Sequence, residues 1–165
     1  MAIKRMNHAV LYVRDAERTA AFYREVLGFR TVNEFPGGVF LQAPDSTNDH
    51  DIAFFSIGDA AGPSTAGRGA VGLYHLAWEV GTLADLAEVG ERLTEAGALV
   101  GATDHGSTKS FYAKDPDGLE FEVCWVVPAD LLGDTRQGMA PLDLPSELER
   151  YCADGSLLNR SHFRA

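Results

Sequence analysis

Two histidines and one glutamate are the residues of this chain best suited to hold a metal. His8 stands in "NHAVLYVRD", His75 in "YHLAWEV" and Glu122 in "DPDGLEFEV". Two imidazoles and one carboxylate are the donor set of non-haem iron sites, and the same set suits Mn, Ni, Co or Zn. Taken singly, a histidine on a strand is more often a hydrogen-bonded core or surface residue. His8 and His75 carry more weight because they occupy equivalent places in two similar halves of the chain, 67 positions apart.

Those halves must position the three side chains. Residues 7–29 read as a strand followed by a helix, with Ala21, Phe22, Val26 and Leu27 at helical spacing and Gly28 as C-cap. Residues 74–98 have the same shape, with Leu83, Leu86, Val89 and Leu93 as the stripe and Gly97 at the end. The two helix-ending glycines are 69 positions apart, so the second half carries two extra residues. Three strand candidates follow each helix: residues 30–34, 38–42 and 51–56, then 99–103, 110–114 and 119–126. Each half is therefore βαβββ. The pattern predicts an α+β fold of paired βαβββ modules with the helices outside; if their strands form a curled mixed sheet around a common cavity, the three side chains can meet there as a metal-binding set. The modules span about 4–57 and 71–127 within a domain of residues 1–127. The Gly-, Ala-, Pro- and Ser-rich residues 58–70 link them, and 128–165 form a short C-terminal extension.

Strand parity aims the side chains. Ala9, Leu11 and Val13 alternate with His8, Val10 and Tyr12. Tyr74, Leu76, Trp78 and Val80 alternate with His75, Ala77 and Glu79. After the Asp115-Pro116-Asp117-Gly118 turn, Leu119, Phe121, Val123 and Trp125 alternate with Glu120, Glu122 and Cys124. In each strand one face is apolar enough to lie under a helix, and the candidate ligand points to the other. Glu120 shares the parity of Glu122 but lies nearer the turn and reads as rim or solvent.

Composition narrows the partners. A formal charge of −10 over 165 residues argues against nucleic acid and anionic membrane, which need a basic footprint. No run of 18 apolar residues and no signal-peptide pattern occurs, and two cysteines are too few for a disulfide framework, so a cytoplasmic location is expected. Cys124 reads as a small buried residue and His162 as an exposed tail residue. Residues 144–155, "LPSELERYCADG", read as a short helix opening at Pro145 and closing at Gly155, packed on the domain or on a partner chain.

The stretches "NHAVLYVRD" with "FYREVLGF", "YHLAWEV" and "DPDGLEFEV" resemble the vicinal oxygen chelate superfamily, which includes glyoxalase I, fosfomycin- and bleomycin-resistance proteins and extradiol dioxygenases. The resemblance implies that His8, His75 and Glu122 are metal ligands. It also implies a homodimer, because members commonly pair. Glyoxalase I proteins carry a fourth ligand, and the offset of 69 puts Ala53 at that place. His50 and Asp51 could supply the ligand only through an altered register. Three protein ligands leave three positions on an octahedral ion, room for both oxygens of a catecholate and for O₂. Fosfomycin-type proteins usually have a threonine where this chain has Val10, and bleomycin-resistance proteins generally lack the triad. The segment "DHGSTKSFYAKDPDG" resembles the His…Tyr…DPxG segment of extradiol dioxygenases, which implies that Tyr112 steadies a substrate oxygen and His105 moves a proton. The expected activity is an Fe(II)-dependent extradiol-type dioxygenase acting on a catechol-like small aromatic. Its rivals are a Lewis-acid isomerase or thiol transferase and a protein that sequesters a small molecule without turnover.

Overall fold

The computed structural model describes residues 2–133 and 138–152. The chain divides into two compact units, Met1–Thr65 with Asp115–Gly118, and Ala66–Lys114 with Leu119–Ala165. The paired βαβββ plan is present. Gly155, His162 and the arginines beside it lie outside the described residues.

The first unit runs β1 (Ala9–Val13), α1 (Ala16–Leu27), β2 (Arg30–Phe35), β3 (Gly38–Gln42) and β4 (Ile52–Ser56), with sheet order β1-β4-β3-β2. β1 and β4 are parallel neighbours, and the other pairs are antiparallel. Asp15 starts α1 by accepting the N–H groups of Glu17 and Arg18, and Gly28 ends it at φ 75°. The buried stripe of α1 is Ala16, Thr19, Ala20, Tyr23 and Val26. Ala21, Phe22 and Leu27 are only half-buried, which shifts the expected stripe around the helix. Tyr23 sets that rotation, because its ring packs on Phe54 at 5.0 Å and on Phe29 at 5.5 Å.

The second unit runs β5 (Leu76–Glu79), α2 (Leu83–Glu95), β6 (Leu99–Asp104), β7 (Thr108–Lys114), β8 (Glu120–Val126), β9 (Ala140–Pro141) and α3 (Leu144–Cys152). Its sheet order is β5-β8-β7-β6-β9, and β5 and β8 are again the parallel pair. Thr82 opens α2 with a capping box to Asp85. Leu83, Leu86 and Leu93 are buried as expected, but Gly90 replaces Val89 in the stripe. The Phe111 ring sits where a Cβ on Gly90 would stand, 2.5 Å away, so only glycine admits it. The extension packs on its own unit: β9 pairs with β6, and Tyr151 of α3 meets Trp125 edge-on at 5.2 Å. No described helix is long and apolar enough to cross a membrane.

The Asp115–Gly118 turn belongs to the first unit and does more than reverse the chain. Asp115 accepts the N–H of Asp117 at 2.9 Å, and Gly118 takes φ 81°. The Asp117 carboxylate is 5% exposed. It accepts hydrogen bonds from the Arg14 N–H and guanidinium (3.3 and 2.7 Å), from Arg18 (3.2 Å) and from the Thr19 hydroxyl (3.3 Å). Asp117→Ala strips all four donors of their acceptor. Both guanidiniums are partly exposed and regain water, so the expected loss is about 1–3 kcal/mol, seen as a lower urea midpoint at unchanged slope. An unchanged midpoint would show that the network contributes nothing net.

Candidate metal centre

In the second unit the site is built on the sheet face turned away from α2. β8 alternates as expected: Phe121, Val123 and Trp125 are buried in the core, and Glu122 and Cys124 point the other way. Antiparallel pairing puts Tyr112 of β7 directly opposite Glu122, and Ser110 opposite Cys124. His75 immediately precedes β5, beside β8. Its Nε2 lies 3.1 Å from Glu122 Oε2, and its ring is 5.7 Å from that of Tyr112. His105 follows β6, and its Nε2 shares a hydrogen bond of 2.9 Å with the Tyr112 hydroxyl. His75, Glu122, Tyr112 and His105 therefore form one cluster within one unit.

The His75–Glu122 geometry fits a chelating pair. Two donors at right angles, each about 2.1 Å from an octahedral ion, stand about 3 Å apart. The other ring nitrogen of His75, Nδ1, is buried without a hydrogen-bond partner among the described residues. Glu122 is itself buried, so its carboxylate gains from a cation beside it. Glu120 is half-buried at the start of β8 and lies 3.6 Å from the Lys114 ammonium, turned to a partner of its own.

Charge and burial tune the neighbours. The Tyr112 hydroxyl has a raised pKa, first because it is desolvated and then because Glu122 is negative. It stays a donor near neutrality. Cys124 is pushed up to about 11, by burial first and then by Glu122 and Glu79. The thiol is thus inert, in line with its reading from sequence.

In the first unit His8 immediately precedes β1, as His75 precedes β5. Its Nδ1 meets Asn7 Oδ1 at 2.7 Å. Strand register locates the position that the repeat offset picked out. Val10 pairs with Ala53 as Ala77 pairs with Glu122, so Ala53 holds the place equivalent to Glu122. Asp51 is occupied elsewhere, accepting from Ala43 N–H (2.8 Å), Ser46 Oγ (2.7 Å) and Asn48 Nδ2 (2.7 Å). His50 behaves differently. Its ring stacks on His8 at 4.2 Å, and its Nδ1 lies 3.1 Å from Asp49 Oδ2. Sequence reasoning weighed His50 only as a ligand in a slipped register. It missed the role of neighbour to His8, because His50 lies outside β4, where parity says nothing. Ser110 was also missed: its hydroxyl is fully buried on the site face without a partner among the described residues. Among the described residues no three His, Cys, Asp or Glu side chains gather into a metal cluster.

Comparison with known proteins gives a consistent result. A family model described as "Glyoxalase/Bleomycin resistance protein/Dioxygenase superfamily" matches residues 5–123. Biphenyl-2,3-diol 1,2-dioxygenase 3 of Rhodococcus globerulus is 32% identical over 120 residues, covering 72% of this chain and 62% of that protein. Lactoylglutathione lyase of Neisseria meningitidis serogroup A is 29% identical over 136 residues, covering 72% of this chain and 88% of that one. The chain spans only 40–62% of the length of the first dioxygenase relatives. Among solved structures, a glyoxylase/bleomycin resistance protein/dioxygenase domain from Frankia sp. EAN1pec shares the fold with a TM-score of 0.65 at 21% identity, covering 78% of this chain and 96% of that one. With the family model matching most of its length, this chain belongs to the Glyoxalase/Bleomycin resistance protein/Dioxygenase superfamily.

Proposed function

We propose that this protein is a metal-dependent extradiol-type dioxygenase that opens a catechol-like small aromatic with O₂. His8, His75 and Glu122 hold the metal in this reading, and Fe(II) is the expected ion. The observation that carries it is the hydrogen-bonded His105–Tyr112 pair beside His75 and Glu122. Similarity to proteins named as catechol and biphenyl-diol dioxygenases supports the same direction.

A ferrous ion held by these residues would supply the redox coupling between a catechol-like substrate and O₂. The chain's own groups bind and move protons. Tyr112 donates a hydrogen bond to a substrate oxygen, and its raised pKa keeps the proton in place. His105 Nε2, 2.9 Å from that hydroxyl, holds or returns a proton at the same oxygen. With Ala53 where a fourth carboxylate would stand, three protein ligands would leave positions for a two-oxygen substrate. The lyase relative, most of whose length is covered, favours a second reading in which the metal is a Lewis acid. The missing carboxylate at Ala53 weighs against it.

Oxygen-electrode traces decide between them. Protein loaded anaerobically with iron is expected to consume one O₂ per catechol-type molecule and yield a ring-opened product. Zn-loaded protein is expected to bind the compound without turnover, since Zn²⁺ has no redox chemistry. Equal turnover with Zn, or turnover without O₂ loss, overturns the dioxygenase reading. The homodimer belongs to this reading as well. Light scattering tests it, a dimer mass being expected; mixing His8→Ala with Glu122→Ala protein then assigns the triad to two chains if metal binding recovers and to one if it does not.

A further inference from the structure

The second unit contains a buried charge that the βαβββ plan does not require. Lys109 is fully buried on the face of β7 opposite Ser110 and Tyr112. A lone ammonium there would be strongly disfavoured. Two carboxylates hold it: Asp104 Oδ1 at 2.6 Å and Glu147 Oε2 at 2.8 Å. Asp104 closes β6, whereas Glu147 belongs to α3, outside the residues matched by the family model. The Tyr151 ring adds a cation–π contact, its centroid 5.9 Å from the ammonium. Burial opposes the charge on Lys109, but its two carboxylate partners outweigh burial and its pKa is raised. Asp104 is lowered despite its own desolvation, chiefly by the hydrogen bond from Lys109.

The network runs on to the site. The same Asp104 Oδ1 accepts the N–H of Gly106 at 2.7 Å. Gly106 takes φ 81°, and the His105 N–H donates to the Thr108 carbonyl at 2.9 Å, closing the turn. The side chain carried by that turn is His105, which reaches the Tyr112 hydroxyl. A second anchor, Val127 N–H to the Ser107 carbonyl at 2.9 Å, holds the far side of the turn without α3.

We propose that α3 is a positioning element for the site: Glu147 holds Lys109, Lys109 holds Asp104, and Asp104 sets the turn that presents His105 to Tyr112. This rests on the reading of His105 as a proton-handling residue. Glu147 and Lys109 touch no reacting atom. They act through the turn, and the extension supplies what the two modules alone do not.

The test uses the full chain with Lys109→Met and Glu147→Leu combined. Replacing a buried ion pair by apolar residues of similar volume commonly preserves folding. The turn then loses its tie to α3 while Tyr151 still packs on Trp125, which fluorescence in a Trp78→Phe background reports. Expected are about tenfold faster amide exchange at Gly106, a shifted His105 ring resonance by NMR, and kcat of the iron-loaded enzyme reduced about tenfold with KM little changed. Exposed Glu149→Gln on the same helix should change none of these. If the double variant unfolds, Glu147→Gln, which keeps shape and removes charge, must move the His105 resonance in the wild-type fold. A folded variant with wild-type Gly106 exchange and His105 resonance overturns the proposal. The NMR arm separates the two ideas. Moved resonances in a protein that consumes no O₂ uphold the positioning and sink the dioxygenase reading, whereas O₂ turnover with unmoved resonances does the reverse.

Discussion

Glu122→Ala protein, dialysed against Fe(II) or Mn(II), is expected to bind metal at least about a hundredfold more weakly than wild type, while Glu120→Ala binds it normally. Changes one shell further out already cost 10–100-fold in metal affinity, so loss of a charged ligand should cost no less. The two carboxylates share a strand and a parity, which makes the comparison strict. Glu122 is buried with Oε2 at 3.1 Å from His75 Nε2, and Glu120 faces Lys114 at 3.6 Å. The fold should tolerate the change, because Glu122 lies on the sheet face opposite Phe121, Val123 and the core beneath α2. Removing a buried carboxylate whose polar contact among the described residues is His75 also removes a desolvation cost. Unfolding and metal loss are thus separable by circular dichroism on the dialysed samples. Wild-type affinity in the folded Glu122→Ala protein would end the ligand assignment. Equal loss in Glu120→Ala would mean that overall negative charge, and not one donor, holds the ion.

How far the site could be read from sequence depended on the range of the force involved. The alternation in "LEFEVCW" is local, and it correctly placed Glu122 and Cys124 opposite Phe121, Val123 and Trp125. The repeat offset was also sufficient to find Ala53, because parallel pairing in both sheets transmits one register from β1 to β4 and from β5 to β8. Helix stripes were harder. Val89 gave way to Gly90 because the ring of Phe111, on another strand, needs the space. Asp117 looked like a turn residue since its partners Arg14, Arg18 and Thr19 are about a hundred residues away in the chain. Lys109 would pass as a solvated residue of β7 until α3 and Glu147 are laid over it. β9, two residues long, has no periodicity to read. At Val89 and Lys109 a contact distant in sequence overrode a local pattern, and at Asp117 it added partners that no local pattern carries.

Tyr112→Phe is expected to keep iron and substrate but slow the chemical step by about one to two powers of ten, the equivalent of one hydrogen bond of roughly 1.5–3 kcal/mol to a charged oxygen. The change deletes one atom from a ring whose place is set by other contacts. Tyr112 stays paired with Glu122 and Gly101 through the backbone, and its ring stays against His75. What disappears is the hydroxyl that His105 Nε2 meets at 2.9 Å. A defect confined to ground-state binding would raise KM and spare kcat, whereas an interaction formed with the developing charge lowers kcat. Steady-state O₂ uptake at saturating catechol, with iron content measured on each sample, separates the two. The His105→Ala/Tyr112→Phe double variant adds a further check. If the two residues act as one proton-handling pair, the double variant should be hardly slower than the worse single variant, because each loss already disables the other. Multiplicative losses would mean that Tyr112 and His105 act on separate oxygens or in separate steps. Wild-type kcat in Tyr112→Phe would remove the tyrosine from the mechanism, leaving its hydrogen bond as a structural support for the turn that carries His105.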